Sequence, residues 1–193
     1  LLHCDGIQAH AATYTGLVEP AVGIIPGWGG CKEMLTRWLV HPDRPGGPMP
    51  PVRKAFEIIS VATVAKSADE AKDCLFLRPE DGITMNRYRL LADAKARALA
   101  LAADYAAPEP VALALPGAGA WAGMKMAVED FRRRGLATPY DAVVADALAR
   151  VLSGGACDVT EPLCEDDVLA LERRAFTKLA CRSGTLARIK HML

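Results

Sequence analysis

The stretch Pro26-Gly27-Trp28-Gly29-Gly30 constrains this chain more than any other. Three glycines within four residues, behind a proline, set a tight loop in which the backbone reaches conformations that other residues avoid. Beyond it, Met34, Leu35 and Trp38 recur at helical spacing, so a helix is expected over 31–40 with the glycine loop leading into it. Ahead of the loop, residues 1–16 read as short strand-like pieces broken at Gly6. The loop therefore separates a small β portion from a long helical remainder.

That remainder is punctuated clearly. Pro42, Pro45, Gly46, Gly47, Pro48, Pro50 and Pro51 make 41–51 a loop. Val52, Phe56, Ile59 and Thr63 mark the next helix, and Ser67-Ala68-Asp69-Glu70 is a capping box opening another that runs to about residue 76. The pattern Leu90, Leu91, Ala94, Ala98, Leu101, Ala102, Tyr105 predicts one long amphipathic helix over 86–106, ended by Pro108-Glu109-Pro110. A helix over 124–134 closes on Arg132-Arg133-Arg134-Gly135, with cations at its negative end. Thr138-Pro139-Tyr140-Asp141 caps a helix that reaches Leu152. Glu165-Asp166-Asp167 begin the next, with Val168, Leu171, Ala175 and Leu179 inward. Ser183-Gly184 break it before a last helix whose inward side is Leu186, Ile189 and Leu193. The expected division is a strand-and-loop part over 1–50 and a helical part over 51–193.

Composition removes several function classes. The 193 residues suit one domain with a real core. The 23 Lys+Arg balance 23 Asp+Glu, which argues against nucleic acid as a partner. No run approaches the ~18 apolar residues of a membrane span. Cys4, Cys31, Cys74, Cys157, Cys164 and Cys181 are scattered, without metal-ligand spacing, and read as reduced packing thiols of a cytoplasmic protein. His3, His10, His41 and His191 are isolated. An apolar run from Val111 followed by Gly117, Gly119 and Gly123 loosely suggests a dinucleotide-binding turn, but Pro116 interrupts it and no later strand completes the unit. The chain opens inside an apolar run at Leu1, and so reads as a segment of a longer polypeptide.

Cys4-Asp5, then Gly16-Leu17-Val18-Glu19, Gly23 and Pro26-Gly27-Trp28-Gly29-Gly30 resemble in order and spacing the signature of the crotonase (enoyl-CoA hydratase/isomerase) superfamily. The helices through Ala55-Phe56-Glu57-Ile58-Ile59, through Lys66-Ser67-Ala68-Asp69-Glu70-Ala71 and at Leu75-Phe76-Leu77 look like the family's next elements. The tail over 138–193 is similar to the C-terminal extension of bacterial proteins that fuse a 3-hydroxyacyl-CoA dehydrogenase to a crotonase unit. The resemblance implies an α/β crotonase-like ββα spiral, represented here by its mostly α C-terminal portion. It implies reversible hydration of a 2-enoyl-CoA in fatty-acid β-oxidation, with double-bond isomerisation as the nearest relative.

By that resemblance Glu19 is the second catalytic carboxylate, Val18 and Gly27 bind the acyl-CoA substrate, and Trp28 either narrows the acyl pocket or is a core or interface aromatic. Water addition needs one group to take a proton and one to give it, and two carboxyls across a water do both. The other carboxyl and the oxyanion hole would lie upstream of Leu1, so the segment alone is expected to be inactive. The implied cofactors are no metal and no redox group for this segment, with NAD confined to a missing dehydrogenase part. The implied partners are acyl-CoA and either other copies of the chain or the rest of its parent. A reading of a different class is a non-catalytic helical module for oligomerisation or docking, supported by the many amphipathic helices. Arg132-Arg133-Arg134 read first as a solvated helix end and second as a contact for CoA phosphates, and the resemblance implies that Arg188 and Lys190 on the last helix could complete a neighbouring subunit's site.

Overall fold

A computed structural model describes every residue of the chain except Arg44, which falls within the expected 41–51 loop. In chain order the elements are β1 (Gln8–His10), β2 (Thr15–Gly16), α1 (Gly30–Val40), α2 (Met49–Ser60), β3 (Val64–Ala65), α3 (Ala68–Asp73) and β4 (Gly82–Thr84). The helices α4 (Leu90–Ala102), α5 (Gly117–Arg133), α6 (Pro139–Leu152), α7 (Glu165–Ala180) and α8 (Ser183–Met192) follow. Short 3-10 turns occupy Glu19–Val22 and Arg87–Arg89.

The chain forms two compact units, both discontinuous: Leu1–Gly16 with Val64–Glu109, and Leu17–Thr63 with Pro110–Leu193. The expected division at residues 50 and 51 does not follow these units. It cuts the first run of the second unit inside α2 instead.

In the first unit β1 runs parallel to β4 and β2 antiparallel to β3, each a two-stranded pair. Asp81 is buried where these strands begin and accepts the N–H groups of Ile7 at 2.8 Å and Arg78 at 2.7 Å. Ser67 caps α3 by accepting the Glu70 N–H, as its capping box requires. That helix stops at Asp73 rather than near 76, because Leu75 turns the backbone to φ +57°. The expected long amphipathic helix over 86–106 is also corrected. A 3-10 turn takes its start, and no residue of α4 is buried, with Leu91 82% exposed.

The second unit is a helical body with α6 at its centre. Leu148, Ala149 and Leu152 of α6 are fully buried, as are Cys31, Met34 and Leu35 of α1 and Val52, Ala55 and Ile59 of α2. Pro50 and Pro51, expected to forbid regular structure, instead open α2. At the first helical positions the missing proline N–H has no intrahelical partner to lose. Thr138 and Asp141 form a complete capping box on α6. The glycines 117, 119 and 123 lie inside α5, and the preceding run makes only an antiparallel bridge between Leu113 and Leu163. No strand–turn–helix unit forms there. In α8 the buried residue is Thr185, while Leu186 is exposed, which overturns the expected inward side.

No helix among the described residues is long and apolar enough to cross a membrane. The six cysteines are free, and no metal-ligating cluster of His, Cys, Asp or Glu occurs among the described residues.

Candidate functional site

The loop that joins residue 17 to α1 holds the three residues singled out by sequence. Pro20 fits the start of the Glu19–Val22 turn because its φ is fixed near the helical value, and Gly23 ends it at φ +88°, a left-handed cap that favours glycine. Val18 precedes the turn and is 48% exposed. Glu19 is half-buried, and its Oε2 is enclosed with no hydrogen-bond partner in the structure. A carboxylate oxygen withdrawn from water without a donor is costly, which makes it the notable acceptor of this loop. Trp28 stands 88% exposed, so it does not narrow an internal pocket.

Gly27 is required by packing. A Cβ there would lie 2.5 Å from Cδ2 of Phe176 on α7, a contact no real side chain makes. The helix N-terminus behind it is filled by the chain itself. Glu172, only 1% exposed, accepts N–H groups from Gly29 at 2.5 Å, Cys31 at 3.0 Å and Lys32 at 3.3 Å. Its charge meets the positive end of α1 and satisfies donors that a helix leaves unpaired. Burial, the largest influence, pushes the Glu172 carboxyl above its ordinary range, while those N–H groups pull it back. Burial, with the carboxylates of Glu172 and Glu19, also holds the Cys31 thiol well above its usual value, so it stays protonated and unreactive. Lys32 pairs with Glu33 and with Glu165 at 2.6 Å, which fixes the start of α7 against α1.

The Glu19 turn is held from the other side by α8. Thr185 Oγ1 lies 2.8 Å from each of three oxygens: the Gly23 carbonyl, the Leu179 carbonyl and the Tyr140 hydroxyl. Arg188 donates to Asp141 at 2.6 Å, to the Thr138 hydroxyl at 3.1 Å and to the Pro20 carbonyl at 3.3 Å, and lies over the Tyr140 ring. Burial is the largest single influence on Asp141 and opposes ionisation. The bonds from Thr138 and Arg188 outweigh it and hold the carboxyl below its ordinary range. Arg188 thus ties α8, α6 and the turn together, which corrects its reading as a contact in a neighbouring subunit's site.

Beside the turn lies a groove of about 450 Å³ that the sequence did not reveal. Pro20 and Ala21 form one wall, Phe56 of α2 a second, Val128 and Phe131 of α5 a third, and Ala145 of α6 lies among them. Glu57 and Asp141 are its carboxylates. Its walls come from segments far apart in sequence, so only the folded arrangement of α2, α5 and α6 makes it.

No family model matches this chain. A protein of Bacillus subtilis (strain 168) named "Probable 3-hydroxyacyl-CoA dehydrogenase" is 36% identical over 188 residues, which is 97% of this chain and 23% of that protein. The chain thus spans under a quarter of its relative's length. This finding corrects several expectations. The crotonase resemblance gains no support. The enoyl-CoA hydratase or isomerase activity and the hydro-lyase class give way to a relative named as an oxidoreductase. So does the expectation of no redox cofactor, because a dehydrogenase needs an acceptor for the electrons it removes. The physical reason for the error lies in the motif. Proline and glycine at 20, 23, 26, 27, 29 and 30 serve local turn geometry and the approach of Phe176, and such demands recur in unrelated proteins.

Proposed function

We propose that this chain works within an enzyme that oxidises 3-hydroxyacyl-CoA thioesters to 3-oxoacyl-CoA. The observation that carries the reading is the 36% identity to the Bacillus subtilis protein across nearly the whole chain. In that reaction C3 loses a hydride and its hydroxyl loses a proton. A nicotinamide dinucleotide would take the hydride.

Neither glycine-rich stretch of this chain is built as a dinucleotide turn. The glycines 117, 119 and 123 are helical, no parallel strand leads into them, and the α1 N-terminus is occupied by Glu172. A phosphate-cradling turn needs a strand feeding an open helix start. The loop over residues 17–30 acts on the substrate. Glu19 supplies the proton acceptor for the C3 hydroxyl, because its Oε2 is enclosed and lacks a donor that a hydroxyl would provide. Val18 and the Gly27 backbone flank it along the same loop. Thr185 and Arg188 hold the turn so that the carboxyl keeps one orientation.

The test uses the gene product that contains these residues, with 3-hydroxybutyryl-CoA and the oxidised nicotinamide, following absorbance of the reduced form. Turnover is expected, with Glu19→Gln lowering kcat by about 10²-fold or more and KM changing far less. No turnover by the unmodified protein overturns the substrate class. Turnover with an unchanged kcat in Glu19→Gln removes Glu19 from the chemistry.

A further inference from the structure

We propose that the outward face of α4, in the first unit, pairs with α4 of a second copy of this chain, the two helices running antiparallel. No residue of α4 is buried, and the helix is turned inside out. Its polar side chains face its own unit. Asp93 accepts the Thr84 hydroxyl at 2.9 Å, while Arg97 donates to the Glu80 carbonyl at 2.9 Å and lies 3.7 Å from the buried Asp81. Two of its leucines face the other way. Leu91 is 82% and Leu99 64% exposed, and Tyr88, in the turn that leads into the helix, is 97% exposed. At 3.6 residues per turn Tyr88, Leu91, Ala92, Lys95 and Leu99 fall on one side, and Lys95 is the one charge among them. A surface helix ordinarily buries its apolar stripe and gives its polar side to water. The reverse arrangement leaves a continuous apolar strip, which marks a surface of association.

Charge complementarity selects a second copy as the occupant. The last turn of α4 carries no base, and Asp104 follows it, so the negative end of the helix dipole has no cation of its own. Arg87 and Arg89 stand at the opposite end, where cations meet the positive pole of their own helix. Arg89 has Asp93 at 3.5 Å, an exposed and weak pair. Each end is thus mismatched to its own helix and matched to the other end of an antiparallel copy. A two-fold axis makes that match twice, because each copy lends its arginines to the last turn of the other. Shape sets the register. With the axis passing between residues 93 and 94, the Tyr88 ring lies opposite Leu99 of the second copy. The small Ala92 then lies opposite Lys95 of the second copy and leaves room for its stem, while the ammonium reaches water at the edge of the contact.

Sedimentation equilibrium of the gene product that contains these residues tests this, over a range of concentrations. Reversible association is expected, weakened about 100-fold or more by Leu91→Glu together with Leu99→Glu, since the two-fold contact loses four leucines. Arg87→Glu together with Arg89→Glu is expected to weaken it about fivefold, by setting acids against the negative helix end of the other copy. All four positions are exposed, so the variants keep their fold, which circular dichroism checks. The register has its own test. Tyr88→Cys together with Leu99→Cys is expected to form covalent dimers under copper–phenanthroline oxidation, beyond the level of the unmodified protein with its six free cysteines, while Tyr88→Cys alone does not. A monomer at every concentration overturns the proposal, as does association unchanged by the two leucine substitutions. A lower melting temperature of the leucine variant with no change in mass also overturns it, by assigning the face to another part of the same polypeptide. Crosslinking by Tyr88→Cys alone as strong as that of the double variant overturns the antiparallel pairing. None of these outcomes bears on the oxidation of 3-hydroxybutyryl-CoA, so the dehydrogenase reading stands or falls separately.

Discussion

Glu172 shows how one side chain can decide the shape of a distant loop. Its carboxylate is buried on α7, yet it closes the N-terminus of α1 by accepting three backbone N–H groups. Each of those donors is buried with it, so removing the acceptor leaves them unpaired at full desolvation cost. Glutamine is nearly the same size but offers one acceptor oxygen and turns an NH₂ group toward backbone donors. Glu172→Gln is therefore expected to lower stability by about 1–3 kcal/mol. Urea unfolding at neutral pH checks it, and a midpoint within error of the unmodified protein would show that the loop does not depend on this carboxylate.

At the scale of elements, what depends on neighbours in sequence was readable in advance. The α6 cap at Thr138-Pro139-Tyr140-Asp141, the α3 cap at Ser67 and the helix behind the glycine loop all appear where local chemistry puts them. Their determinants lie within four residues of one another, the reach of a capping box or a helical turn. What depends on distant partners was not readable. Nothing near Glu172 in sequence says that it faces Gly29, and the pattern in α8 points to Leu186 while the fold buries Thr185. The groove escaped for the same reason, and so did the enclosed oxygen of Glu19. The crotonase motif misled because turn residues carry little information beyond the turn. Thr185 lends itself to a direct test. Thr185→Val keeps the shape but removes the hydroxyl shared by the Gly23 and Leu179 carbonyls and Tyr140. A loss of about 1–3 kcal/mol is expected, read by chemical denaturation, with faster amide exchange at Gly23 than in the body of α6. Unchanged exchange at the turn would mean that α8 does not hold it.

In the whole second unit, the ties run from the end of the chain back to its early loop. Arg188 joins Pro20 to Asp141, Thr185 reaches Gly23, and Glu172 reaches Gly29, so residues 17–30 owe their placement to 138–188. The Asp141–Arg188 pair gives this arrangement an acid limit. Asp141 has its carboxyl held below the ordinary value in the folded chain, so folding favours its ionised form. The stabilisation is therefore present above the unfolded value of about 3.9, and is lost as pH falls through the lower folded value. Asp141→Asn keeps the side-chain size and cannot ionise. The unmodified protein is expected to melt at a higher temperature than Asp141→Asn near neutral pH, with the gap closing as pH drops below about 3.9. Other carboxylates held low, among them Asp158 and Asp167, destabilise both proteins alike in acid, so the difference between the two curves is the quantity that reports this pair. A gap of the same size at both ends of the range would show that Asp141 acts through its cap on α6 alone, and that its charge does not bind Arg188 and α8 to the loop.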